Sequence, residues 1–133
     1  IRDVDPPDLF NPEPTSDKNF LWFKVDGTLD TENQWAHHCF LAYASDVSLL
    51  GSGNRPHGVS AYSGDVMLAS LDHAMWFHEK INFNEWHLYE MDSPFSGAAR
   101  SLNRGKVFSQ DGTLVASVTQ EGLMRPLKRR PNT

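Results

Sequence analysis

Hydrophobic and polar positions along the chain predict one strand, one long helix and then only strands. The segment FLWFKVDGTL (Phe20–Leu29) is rich in aromatic and β-branched residues, which favours a strand. The run AHHCFLAYASDVSLL predicts a helix that ends at Gly51 and Gly53, because glycine suits a left-handed helix cap. After a loop rich in Gly, Pro and Ser, the strand candidates are VMLASLDHAMWFH, EWHLYEMD, ARSLNRGKVFSQ and TLVASVTQEGLM, the last two joined by the hairpin signal Asp111-Gly112.

This order of elements predicts an α+β domain in which an antiparallel sheet wraps around one long central helix. A long apolar helix must bury most of its surface, and a curved sheet is a suitable partner for it. That architecture is the hotdog fold. A plain α+β roll is the alternative, and the pattern alone does not separate the two.

The predicted helix carries an acidic residue in phase with apolar ones. A stripe with a period of 3.6 residues predicts the buried face, and it consists of Trp35, Cys39, Ala42, Asp46 and Leu49. A buried carboxylate is costly unless it is paired or hydrogen-bonded. Asp46 is therefore either a functional residue or an edge residue that bonds a backbone N–H.

Polar side chains also interrupt the predicted strands. Both alternating faces of VMLASLDHAMWFH are mainly apolar, so we expect this strand to be buried on both sides, with Ser70 and Asp72 on one face and His73 on the other. Gln120 is the polar residue on an otherwise apolar face of the last strand. Ser70 is either structural or functional, and Gln120 either joins a polar network or holds a water. In a sheet wrapped around the helix, Asp46, Ser70 and Gln120 converge.

Composition narrows the function. The chain has 133 residues, the usual length of one domain, and a formal net charge of -5 argues against a general nucleic-acid binder. A single cysteine, Cys39, excludes a disulfide within the chain, and the histidine spacing does not match a metal site. No apolar run approaches the ~20 residues of a membrane span. We therefore expect no metal, no cofactor, no nucleic-acid partner and no membrane span.

The two ends differ in composition from the middle. Residues 1–19 are rich in Pro and Asp and predict a linker or surface arm, residues 20–126 the folded domain, and residues 127–133 a basic, solvated tail. Because the chain begins at Ile1 with a linker-like segment, we expect a fragment or a processed product.

The runs HHCFLAYASDVSLL, RPHG, ASLDHAMWFH, NEWHLYEMDSP and QDGTLVASVTQEGLMR resemble the acyl-CoA thioesterase II family. Enzymes of this family carry two hotdog repeats in one chain, and the resemblance covers about residues 35–125 and matches the C-terminal repeat. The family uses an Asp on the helix, a Thr or Ser on the following strand and a Gln on the last strand. These positions fall on Asp46, Ser70 and Gln120, which are also the residues that interrupt the apolar pattern.

The resemblance implies hydrolysis of fatty acyl-CoA to a free fatty acid and CoA. Asp46 would then act as the general base for a water, and Ser70 and Gln120 would position that water, with no cofactor. The alternative is a non-catalytic acyl-CoA-binding or assembly half that needs a missing N-terminal repeat. A hotdog hydratase is a third candidate, but it would place an Asp and a His together, whereas the histidines of this helix lie far from Asp46. No substrate-binding residues are assigned.

The resemblance also implies a partner and a location. We expect either a homodimer that imitates the two-repeat chain or pairing with an N-terminal hotdog repeat. Similarity to eukaryotic relatives implies a peroxisomal location, and a bacterial origin would imply a cytoplasmic one. The chain ends in Pro-Asn-Thr and not in the Ser-Lys-Leu-like signal of some eukaryotic relatives.

Overall fold

One antiparallel sheet wraps around a central helix in the computed structural model, which describes residues 1–128. The strand order is β1-β2-β5-β6-β7-β3, and β4 also pairs with β7. The strands are β1 Arg2–Asp3, β2 Asn19–Phe23, β3 Val66–Ser70, β4 Ala74–Phe77, β5 His87–Gly97, β6 Arg100–Phe108 and β7 Leu114–Pro126. This is the predicted architecture, the hotdog fold. Of the predicted basic tail, residues 129–133 lie outside the described part of the chain.

The helical segment has three consecutive parts, α1 Gln34–Val47, α2 Gly51–Asn54 and a 3-10 turn at Arg55–His57. Asn33 caps the start of α1, because its side chain accepts a hydrogen bond from the backbone N–H of Ala36 at 3.3 Å. The prediction that the helix stops at Gly51 and Gly53 is wrong, since both lie within α2.

Close packing explains the glycine at position 53, and the helical segment is capped at a later glycine. A Cβ on Gly53 would lie 2.7 Å from the Cβ of Ser101, so this glycine allows α2 to approach β6. The helical segment ends instead at Gly58, whose φ of 61° is the left-handed conformation expected of a cap.

The buried face of α1 is not the predicted one. His37, Leu41 and Ser45 are buried, whereas Trp35 is 82% exposed and Asp46 is exposed. Polar residues can face this core because they are satisfied. The Nδ1 atom of His37 accepts the backbone N–H of Phe83 at 2.9 Å, so its Nε2 donates to the backbone oxygen of Asp30, also at 2.9 Å. Of the predicted stripe, Leu49 lies in the core, and Cys39 is exposed.

The segment VMLASLDHAMWFH forms two strands at the edge of the sheet and not one strand buried on both sides. Val66 is buried, but Leu71 and Trp76 are exposed. Prediction from apolar content failed because an apolar edge strand has the same composition as a strand that is buried on both faces.

A β-bulge separates β3 from β4. Ser70 is paired with Gly122, and Ala74 with Thr119, so four steps along the edge oppose three steps along β7. Asp72 accepts the backbone N–H of Glu121 through its Oδ1 at 2.7 Å, in place of a ladder carbonyl. The one extra residue in the edge strand reverses the alternation of its side chains beyond the bulge. Residues on opposite faces of a regular strand are thereby brought to one face.

The remaining predicted strands are present, with shifted ends. The segment predicted from Phe20 to Leu29 forms only β2, and β5 extends to Gly97. The hairpin at Asp111-Gly112 is confirmed: Gly112 has a φ of 88°, and its N–H donates to the backbone oxygen of Ser109 at 2.9 Å. In residues 1–128, no helix is long and apolar enough to cross a membrane.

Candidate active site

The structure brings the sequence-predicted residues Asp46, Ser70 and Gln120 together. Asp46 lies in the last turn of α1, Ser70 ends β3, and Gln120 lies in β7. The Ser70 hydroxyl donates to Asp46 Oδ1 at 3.3 Å, and Gln120 Nε2 donates to Ser70 Oγ at 2.8 Å. Gln120 is fully buried, whereas Asp46 and Ser70 are exposed. The chain of bonds therefore runs from the interior to the surface.

A buried tyrosine holds the end of α1 that carries Asp46. Tyr89 is fully buried in β5, and its hydroxyl donates to the backbone oxygen of Ser45 at 2.8 Å. Burial raises the pKa of the Tyr89 hydroxyl, and the negative charge of Asp46 raises it further. The hydroxyl therefore stays protonated and remains a donor to the helix.

His73 is the site residue that the sequence analysis did not identify. Its Nδ1 is hydrogen-bonded to Gln120 Oε1, and its Nε2 lies 2.9 Å from the hydroxyl of Ser45. Regular alternation placed His73 and Ser70 on opposite faces, but the bulge brings both to the Gln120 face. The polar pair Asp72-His73 within an apolar strand was the available signal, because an Asx side chain can replace a ladder bond.

Asn103, on the neighbouring strand β6, supports the β7 backbone at Gln120. The two residues are directly opposite in the β6–β7 pair, and Asn103 is fully buried. Its Nδ2 lies 3.1 Å from Ser101 Oγ and 3.4 Å from the backbone oxygen of Gln120. Within residues 1–128, its Oδ1 has no hydrogen-bond partner.

A cavity of about 590 Å³ opens beside Asp46 and Ser70. The N-terminal segment and residues Ser60–Tyr62 form part of its wall. Its apolar lining consists of Pro6, Pro7, Leu9, Val47, Leu50, Ala61, Tyr62, Leu68 and Ala69, and its further polar lining includes Asp3, Asn19, Ser48, Asn54 and Ser60. A cavity with a partly apolar lining that reaches a carboxylate and a hydroxyl is suited to a ligand with an apolar part and a reactive polar end.

Arg55 anchors the N-terminal segment over this cavity. The Arg55 side chain is only 7% exposed, its Nη2 lies 3.0 Å from Asp5 Oδ2, and its Nε donates to the backbone oxygen of Ser16 at 2.9 Å. The hydroxyl of Ser60 donates to the backbone oxygen of Leu9. These contacts hold the segment against the helix end and the following loop.

Comparison with known families decides the assignment. The family model described as acyl-CoA thioesterase matches residues 4–123. The chain belongs to the acyl-CoA thioesterase family. The resemblance noted in the sequence is thus confirmed, and the site lies within the matched region. In residues 1–128, no group of three or more His, Cys, Asp or Glu is placed to hold a metal ion.

Individual relatives agree with this membership. Acyl-coenzyme A thioesterase 8 from Mus musculus is 38% identical over 125 residues, which are 94% of this chain and 38% of the mouse protein. A peroxisomal acyl-coenzyme A thioester hydrolase from Saccharomyces cerevisiae is 31% identical over 102 residues, 75% of this chain and 29% of the yeast protein. The crystal structure of an acyl-CoA thioesterase II from Mycobacterium marinum superposes with a TM-score of 0.80 at 42% identity, covering 98% of this chain and 51% of that one. The chain therefore spans about half, or less, of the length of these relatives.

Proposed function

We propose that this chain hydrolyses fatty acyl-CoA to a free fatty acid and CoA. The observation that carries the proposal is the hydrogen-bonded series Asp46, Ser70 and Gln120, in which Asp46 and Ser70 line the cavity. Family membership supports the thioester as the bond that is broken.

In the proposed reaction, Asp46 is the general base. Ser70 occupies Oδ1 of Asp46, and Oδ2 accepts no hydrogen bond from residues 1–128, so Oδ2 is the oxygen assigned to the water. Asp46 takes one proton as the water oxygen bonds to the thioester carbonyl carbon. Collapse of the tetrahedral intermediate breaks the C–S bond, and the thiolate of CoA receives the proton from Asp46. Ser70 and Gln120 fix the direction of the carboxylate during these steps.

The cavity is the proposed compartment for the acyl chain. Its apolar lining excludes water from the chain, and Asp46 and Ser70 border it where the thioester would lie. The N-terminal segment, held by Arg55, closes one side. The free fatty acid and CoA then separate at the exposed end of the site.

A second hotdog unit is the proposed partner. An apolar face, formed by Trp35, Tyr43 and Val47 of α1 with Phe77 of β4, is exposed. Stacking of His38 on Phe77, with ring centroids 4.2 Å apart, joins the helix to the edge strand. The edge strands β3 and β4 also offer backbone groups for continuing the sheet. A second copy of the chain or an N-terminal repeat would cover both features.

The non-catalytic alternative is favoured by one observation, the exposure of Asp46 and Ser70 beside this uncovered face. In that case the chain binds acyl-CoA and hydrolyses it only when a second repeat covers the site. We propose a peroxisomal location, supported by the yeast relative named as peroxisomal. Localisation of a fluorescent fusion in the source cells against a peroxisomal marker tests the location.

The experiment that tests the function measures binding and hydrolysis side by side. The chain is incubated with a series of short-, medium- and long-chain acyl-CoAs, and free thiol release and binding heat are recorded. We expect thiol release that depends on chain length. Binding without thiol release would instead support the non-catalytic alternative. If the chain neither binds acyl-CoA nor releases thiol, both proposals are contradicted.

A further inference from the structure

We propose that His73 is a positioning residue that fixes the side-chain amide of Gln120 and, through it, the hydroxyl of Ser70. The inference rests on the proposed function and extends it beyond the three residues taken from the sequence. His73 contacts Gln120 and Ser45 and none of the atoms assigned to the reaction.

The hydrogen positions in this series of hydrogen bonds can be assigned one after another, starting at the Asp46 carboxylate. An ionised Asp46 only accepts, so the hydrogen on its contact with Ser70 belongs to the hydroxyl. Ser70 must then accept from Gln120, which places the amide NH2 on that side. The amide oxygen of Gln120 therefore faces His73, and the hydrogen of that contact lies on Nδ1 of the imidazole.

The reversed amide would break the series. If the amide oxygen of Gln120 faced Ser70, the single hydroxyl hydrogen would be drawn to it. The contact between Ser70 and Asp46 would then join two oxygens without a hydrogen. A donor at Nδ1 of His73 disfavours this arrangement, because it would face the amide NH2 of Gln120.

Ser45 makes the Nδ1 hydrogen independent of the charge on His73. The Ser45 hydroxyl lies 2.9 Å from Nε2 of the ring, and the thioether of Met75 lies 3.3 Å from that hydroxyl. For a neutral ring, Ser45 donates to Nε2. For a charged ring, Nε2 donates to Ser45, which turns its hydrogen to the backbone oxygen of Ala42 at 2.8 Å. Gln120 receives the Nδ1 hydrogen in both states.

Substitutions at position 73 distinguish the loss of the hydrogen bond that positions Gln120 from the loss of side-chain volume. Asn carries an amide near the position of Nδ1, whereas the longer Gln carries one near the position of Nε2. We expect His73→Ala and His73→Gln to lower kcat by roughly 10- to 100-fold with KM nearly unchanged, because misplaced groups cost rate more than binding. His73→Asn should recover most of the rate. The control is His78→Asn, which removes an exposed histidine bonded to Ser117 outside this series.

A spectroscopic measurement decides the hydrogen bond without reference to activity. Long-range ¹⁵N–¹H NMR on the unsubstituted chain should show His73 with a hydrogen on Nδ1, and the Gln120 side-chain amide should shift in His73→Ala but not in His78→Asn. A hydrogen found only on Nε2, or full kcat in His73→Ala, would overturn the proposal. If the unsubstituted chain releases no thiol, the proposed function fails, and the NMR result alone decides the role of His73.

Discussion

The Ser70 hydroxyl is the link between a buried amide and an exposed carboxylate. It accepts from Gln120 at 2.8 Å and donates to Asp46 at 3.3 Å. Removal of this hydroxyl leaves the carboxylate without its internal donor and the amide without its acceptor. Each of the three side chains therefore depends on the next one for its orientation.

We predict that Ser70→Ala and Gln120→Ala lower the kcat for acyl-CoA hydrolysis by roughly 10-fold or more, because in the proposed reaction both position the water and neither takes its proton. Combined with Asp46→Asn, their effects should not add, since residues that act as a unit lose their function together. Steady-state kinetics on the single and double variants measure this. Ser70→Thr is the matched control, because it keeps the hydroxyl, and fully additive losses would argue against one unit.

The convergence of the three side chains could be predicted from the sequence because polar side chains stand out in an apolar strand or helix. Their family pattern then gave the same positions. His73 could not be predicted, because a period of two has no place for the bulge between Ser70 and Ala74. The faces of α1 were also misread. Satisfied polar residues, His37 and Ser45, face the core, and apolar ones face outward.

Among the elements, β5 and β6 position the end of α1 that carries Asp46 through one close contact. A Cβ on Gly105 would lie 2.9 Å from the hydroxyl oxygen of Tyr89 and closer still to its ring. That ring is fixed, because it is fully buried and its hydroxyl bonds the backbone oxygen of Ser45. Glycine at position 105 is thus required for the β6 backbone to pass close to the Tyr89 ring.

We predict that Gly105→Ala lowers the free energy of unfolding by about 1–3 kcal/mol, the usual cost of overpacking a core. Denaturant unfolding followed by tryptophan fluorescence measures the change. Gly51→Ala is the control, since a Cβ there meets nothing within 4 Å and alanine favours a helix. A Gly105→Ala variant as stable as this control would show that Tyr89 is free to move.

The order of the main elements could be predicted from the sequence, but the position of a strand inside the sheet or at its edge could not. Strand formers, a helical period and the Asp111-Gly112 turn predicted a strand, a helix and then strands, but not the short strand β1 or the division of Val66–Phe77 into β3 and β4. Whether the run from Val66 to Phe77 lies inside the sheet or at its edge depends on pairing between distant segments. Local composition carries no information on that pairing. The apolar side chains of Leu71 and Trp76 predict a buried strand, but both are exposed.

At the scale of the whole molecule, the apolar face and the free sheet edge lie on the same part of the domain. Trp35 is 82% exposed and Tyr43 is 78% exposed, both on α1, and β3 ends the sheet. Large exposed apolar residues beside an unpaired edge favour association. Self-complementary pairing of two copies would place two sites next to one interface.

We predict a homodimer at micromolar concentration, observed by sedimentation equilibrium. Charges on the apolar face oppose its burial, so the double variant Trp35→Glu and Tyr43→Glu should sediment as a monomer. Trp86→Glu is the control, because Trp86 lies beside Arg2 and Lys24, and Arg2 belongs to β1 at the opposite edge of the sheet from β3. A monomer with full hydrolytic activity in the unsubstituted chain would contradict the need for a second hotdog unit.

The most direct test of the account is the turnover of acyl-CoA by Asp46→Asn. This change keeps the shape of the side chain and removes its ability to take a proton from water. General-base catalysis contributes roughly 10²- to 10⁴-fold, so kcat should fall by roughly 10²-fold or more with the unfolding free energy unchanged. Full turnover by a folded Asp46→Asn chain would contradict the central claim that this carboxylate activates the water.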